Sequence, residues 1–175
     1  MKKEIDDKEL DCCFTQGTNW FRYRAGAIIV ENGCVLFVGN PNENYLYSVG
    51  GGVHLGETAK EAVEREVFEE TGVHYEVGHL AVIHENFFDG GERGALAGLQ
   101  CHEISFYYVM KPRGTQETNS HSYVNGNKEE LHWIPIEELD QYVAFPSFMK
   151  EYLAHEHTGI EHVITKDGKD DWTNL

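Results

Sequence analysis

Residues 51–73 read GGVHLGETAKEAVEREVFEETGV. Two glycines run into a helical pattern. Thr58 is the expected N-cap, and Glu61, three residues on, completes a capping box in which each side chain satisfies the other's backbone N–H. Gly72 supplies the C-terminal stop. Inside the helix, Glu66, Glu69 and Glu70 stand at i, i+3 and i+4, on one face within about 100° of arc. Like charges so spaced each cost about 0.2–0.5 kcal/mol in an isolated helix. Arg65 lies beside this face, and no Lys or Arg stands at 73 or 74 to relieve it. The cluster therefore predicts a cation, and three carboxylates are hard oxygen donors suited to Mg²⁺ or Mn²⁺. A charge run alone reads as a solvated helix face. The glycine turn adds a second signal, because glycine backbone lets N–H groups approach a phosphate closely. A phosphate cradle and a cation site would then be neighbours.

Two nucleotide motifs fail on the same glycines. A P-loop needs Gly-Lys-Ser/Thr at the helix start, where this chain has Gly56-Glu57-Thr58, and a glutamate there repels phosphate. Gly50, Gly52 and Gly56 nearly match GxGxxG but have one residue too many. The stretch resembles instead the Nudix box. Gly51 opens it, Glu57 follows after five residues, Arg65-Glu66 after seven more, then Val67, Glu69-Glu70, Gly72 and Val73, with every fixed position matched over 23 residues. The stretches His84-Glu85-Asn86-Phe87-Phe88 and His102-Glu103-Ile104 are similar to bacterial Nudix proteins more loosely.

The resemblance implies an α/β/α sandwich with a mixed β-sheet. It also implies hydrolysis of a pyrophosphate bond in a nucleoside diphosphate linked to another moiety, such as a nucleoside triphosphate or a nucleotide sugar. Glu66, Glu69 and Glu70 would bind Mg²⁺ or Mn²⁺, Glu57 and Arg65 would form a supporting ion pair, and Gly51 and Gly52 would shape the loop that meets substrate. Glu69 is the first choice to take the proton from the attacking water. A further carboxylate from outside the box often completes such a site. Glu130 is favoured for it, because Glu130-Leu131-His132-Trp133 resembles the common Glu-x-x-Trp pattern; Glu103 and Glu129 compete. The alternative to an enzyme is a nucleotide-binding regulator on the same fold, and a homodimer is compatible with the resemblance. Subfamily signatures are missing, so the substrate stays open.

Outside the box the chain is that of one domain. Its 175 residues carry 14 Lys and Arg against 30 Asp and Glu, a formal charge of −16. That excess argues against nucleic-acid polymers and anionic membranes, which are held by positive charge. It leaves room for a small phosphorylated ligand bridged by a divalent cation. The start of the chain lacks the apolar core of a secretory signal. Cys12, Cys13, Cys34 and Cys101 show neither metal nor disulfide spacing, which predicts reduced thiols and a cytoplasmic protein. Ten histidines include no HExxH pair.

Hydropathy predicts a flexible segment over residues 1–18, a domain over 19–165 and a polar tail from 166. Within the domain it predicts strands at 25–30, 34–38, 45–49, 101–110 and 131–134, an extended stretch over 73–86, a loop over 88–98, and helical pieces at 137–142 and 146–155. The polar stretch 111–128 reads as a long loop and the place to seek selectivity. Trp20, Phe87, Phe88, Tyr107 and Tyr123 are the aromatics weighed for base stacking, although strand aromatics more often pack a core.

Overall fold

Residues 10–124, 126–166 and 168–173 are described by the structure, a computed structural model. The Thr58–Glu61 box forms as the sequence predicts. Thr58 accepts from the Glu61 N–H, and Glu61 accepts from the Thr58 N–H at 2.9 Å. Helix α1 (Ala59–Thr71) ends where Gly72 turns left-handed at φ +70°, a conformation that favours glycine.

Two sheets carry the rest. Strands β1 (Cys13–Gln16), β2 (Asn19–Ile28), β6 (Gly50–Gly52), β7 (Val77–Asp89), β8 (Gln100–Met110), β13 (Glu161–Lys166) and β14 (Lys169–Thr173) form the larger one. It is mixed: β2–β8 and β7–β13 run parallel, and the remaining pairs run antiparallel. β1 and β6 share one edge of β2, β1 opposite residues 19–22 and β6 opposite 24–26. The smaller sheet joins β3 (Val30–Glu31), β4 (Cys34–Gly39), β5 (Leu46–Ser48), β11 (Glu130–Pro135) and β12 (Ala144–Phe145), and β9 (Tyr123–Val124) pairs β10 (Asn127–Lys128).

The apolar residues divide into two layers. Ala62, Val63 and Val67 of α1 pack with Ala25, Ala27, Leu36, Val38 and Val49, backed by Tyr47, Leu131 and Trp133. Ile28, Val35, Phe37, Val82 and Ile134 face the opposite way, onto Leu139 of the 3-10 helix Ile136–Gln141 and Phe148, Met149 and Tyr152 at helix α2 (Met149–Ala154). Helices thus cover both sides of the sheets, the α/β/α sandwich with a mixed sheet that the box implies. No helix among the described residues is long and apolar enough to cross a membrane.

Three expectations are corrected. Residues 1–9 lie outside the described residues, but Cys13–Gln16 is a strand, not a flexible lead. Phe14 pairs with Phe21 and stacks on it at 5.4 Å. At the other end, the tail from 166 holds β14, whose Trp172 packs beside Phe148. Finally, the loop expected over 88–98 starts later, because the extended stretch before it, β7, continues through Asp89.

Candidate active site

The backbone of β6 meets the acidic face of α1, and the glycines make the approach possible. A Cβ on Gly51 would lie 2.5 Å from the Glu66 carboxylate, so a larger residue there would push that carboxylate from its present position. The corresponding space at Gly52 is filled by the Asp11 carboxylate, at 2.7 Å. Gly50 N–H donates to Glu70 Oε2 at 3.3 Å. Gly51 and Gly52, expected to meet substrate, thus admit carboxylates to the backbone.

Arg65 organises the start of the site. Its Nε and Nη2 grip the two oxygens of Glu57 at 2.9 and 3.0 Å, and Nη2 also donates to the Gly52 carbonyl at 3.0 Å. The predicted ion pair is therefore present, and it ties the loop to the helix. Arg65's hydrogen bonds outweigh partial burial and hold the Glu57 carboxyl below its ordinary pKa. Nη1 of the same guanidinium is shared between Glu66 at 2.6 Å and Glu69 at 3.2 Å.

The three box carboxylates are not equivalent. Glu70 is only 8 % exposed. Burial pushes its pKa well above the ordinary value, Glu129 and Glu66 push it further, and Arg24 offsets them only in part. Burial also raises Glu66, against the pull of Arg65. Glu69 keeps 55 % of its side chain exposed, the most open of the three.

Glu129, not Glu130, is the carboxylate brought to this cluster. Glu129 is 4 % exposed; the Tyr47 hydroxyl donates to its Oε1 and the Ser122 hydroxyl to its Oε2. Glu130 is exposed and stands 3.8 Å from His132. The reason is strand parity. Leu131 and Trp133 pack towards α1, whereas Ile134 packs the other way. Successive side chains alternate, so Glu129 shares the face of Trp133 and Glu130 does not. Glu103 is a separate assembly. It accepts from Arg22 Nε at 2.8 Å and Nη2 at 2.5 Å and from the Ser105 hydroxyl at 3.0 Å.

The long polar loop is pinned rather than free. Glu31 accepts from the backbone N–H groups of Arg113 and Gly114, Trp133 Nε1 donates to the Gln116 carbonyl, and Asn119 N–H donates to the Thr71 carbonyl at 2.8 Å. The loop therefore crosses the end of α1 and delivers Glu129. Sequence reasoning missed Tyr47, Ser122 and Arg24, whose roles rest on long-range contacts. A signal existed for Arg24 alone, as a charge inside an apolar strand.

The donor set is all carboxylate oxygen, the chemistry of Mg²⁺ and Mn²⁺. The mutual repulsion of buried Glu70 and Glu129 is the electrostatic demand that such a cation answers. As they stand, no three His, Cys, Asp or Glu among the described residues form a group able to hold a metal ion. An ion would compete with Arg65 for Glu66 and Glu69.

Comparison with known proteins places the chain in a family and a fold. The NUDIX domain model matches residues 20–155. A MutT-like protein of Streptomyces ambofaciens is 28 % identical over 145 residues, 83 % of this chain and 82 % of that one. The crystal structure of a MutT NUDIX hydrolase from Burkholderia pseudomallei superposes with a TM-score of 0.59 at 23 % identity, covering 76 % of this chain and 98 % of that one. That of a mutator MutT protein from Bacillus halodurans gives 0.58 at 18 % identity, over 85 % and 94 %. At these identities the two structures speak to the fold.

Proposed function

The chain belongs to the NUDIX domain family, whose members hydrolyse derivatives of nucleoside diphosphates, and from that premise we propose that it is a Mg²⁺-dependent pyrophosphohydrolase of small nucleotides. Its substrate would be a nucleoside triphosphate or a nucleotide sugar. The carrying observation is the buried Glu70, repelled by Glu129 and Glu66, beside glycine backbone that opens onto the helix.

Glu66, Glu69, Glu70 and Glu129 would hold the cation. A bound divalent cation neutralises the phosphate oxygens and lowers the pKa of water. Each other part of the task falls to the chain itself. Arg65, braced on Glu57, fixes the helix against the Gly52 carbonyl and so sets the position of Glu66. Tyr47 and Ser122 each donate to one oxygen of Glu129, which fixes the orientation of its carboxyl group. Glu69, with the most open carboxylate, takes the proton of the incoming water in this reading. The four free cysteines support a reducing compartment, the cytoplasm, as the place of action.

A panel of nucleoside triphosphates and nucleotide sugars, incubated with and without Mg²⁺, tests the proposal. Nucleoside monophosphate release that stops with chelator is expected. Metal-independent release, or none from any member, rejects it.

A further inference from the structure

We propose that the cavity beside Tyr45 seats the base of the nucleotide, an inference that rests on the hydrolase reading above. The cavity measures about 330 Å³, near the lower end of small-molecule pockets. Tyr45 and Tyr142 give it aromatic walls, Asn40 and Gln141 give it amides, and Glu43 and Glu130 line it with acid.

Its place in the fold suits a base whose phosphates lie at the carboxylate cluster. Gly39, the last residue of β4, pairs with Glu130, the first of β11, and with Leu46, the first of β5. The cavity and Glu129 therefore share one end of the small sheet. The link is also a chain of rings. Tyr45 lies 6.4 Å from Tyr47, whose hydroxyl donates to Glu129. Phe145 meets Tyr45 edge-on at 5.9 Å and holds its ring in place. A ring held before binding loses little rotamer freedom when a base stacks on it.

Charge sets the direction of entry. Glu43 and Glu130 repel phosphate, so the uncharged end of the nucleotide enters. The amides of Asn40 and Gln141 both donate and accept, which suits the edge of a heteroaromatic base. Glu130 adds a carboxylate acceptor and favours a base that presents N–H donors. The residue expected to complete the carboxylate cluster thus becomes a candidate reader of the base.

The test compares two non-hydrolysable ligands by calorimetry in Mg²⁺: an α,β-methylene nucleoside diphosphate, and methylenediphosphonate, which lacks the base. Wild type should prefer the nucleotide. In Tyr45→Ala that preference should fall about tenfold, within the range expected for one stacked base. Tyr45→Phe, which keeps the ring, should retain it. Tyr142 is 44 % exposed, so Tyr142→Ala keeps the fold and should also lower the preference. An unchanged preference in both alanine variants overturns the proposal. So does wild type that binds the two ligands equally or binds neither. A change in sedimentation alone would assign the surface to a second copy of the chain and overturn it too. Because binding is read without turnover, absent hydrolysis strikes the hydrolase reading and leaves this measurement standing.

Discussion

Glu70 and Glu103 are buried almost alike, at 8 % and 7 % exposure, yet their pKa values move in opposite directions. Burial raises both. At Glu103 the charges of Arg22 and Arg24 and the hydrogen bonds from Arg22 and Ser105 overcome it, and the carboxyl falls below its ordinary value. At Glu70 the neighbours are Glu129 and Glu66, the Arg24 charge is insufficient, and the value climbs. The first carboxylate is satisfied by the protein and cements β2 to β8. The second is left wanting positive charge. Depth alone does not mark a functional carboxylate; what matters is whether the fold has supplied its counter-charge.

The largest effect should come from removing that demand. Glu70→Gln is expected to lower kcat about a thousandfold, about 4 kcal/mol on the barrier, while the melting temperature in metal-free buffer holds or rises. A fall in both together would make Glu70 as structural as Glu103. Glu103→Gln should do the reverse. It takes the paired carboxylate from Arg22 and one of the nearby carboxylates from Arg24, and should cost about 3 kcal/mol in denaturant unfolding. A stable Glu103→Gln that had lost turnover would dissolve the contrast.

The support beneath the cluster should give smaller numbers. Arg65→Ala should hurt stability and activity, and a double-mutant cycle with Glu57→Ala should return a coupling of about 1–2 kcal/mol. A coupling near zero would leave the loop tied by the Gly52 carbonyl alone.

The smallest effect is in pH. A carboxyl whose folded pKa is raised binds its proton in the folded state first. Metal-free wild type should therefore gain stability from Glu70 as pH falls through that raised value, until the unfolded chain protonates near about pH 4.3. Glu103 contributes the opposite way. Its stabilisation is full above the ordinary glutamate value and is lost as pH falls through its depressed one. Melting curves of wild type and Glu70→Gln across this range should differ by the Glu70 contribution only. Parallel curves would show that Glu70 titrates normally.

The sequence by itself determined what one helix and its flanks can express. Thr58, Glu61 and Gly72 set the ends of α1, and 3.6-residue spacing put Glu66, Glu69 and Glu70 on one face, because all of these are relations within a few residues of chain. The Arg65–Glu57 pair belongs with them as part of the recognised box. The two ends of the sheet look in sequence like a polar lead and tail, since pairing with β2 and β13 is invisible in local polarity. Tertiary structure alone decided which carboxylates receive arginines, with Arg22 reaching Glu103 from 81 residues away. It also decided between Glu129 and Glu130, one residue apart. A strand turns neighbours to opposite faces, and which face meets α1 is set only when the sheet has packed.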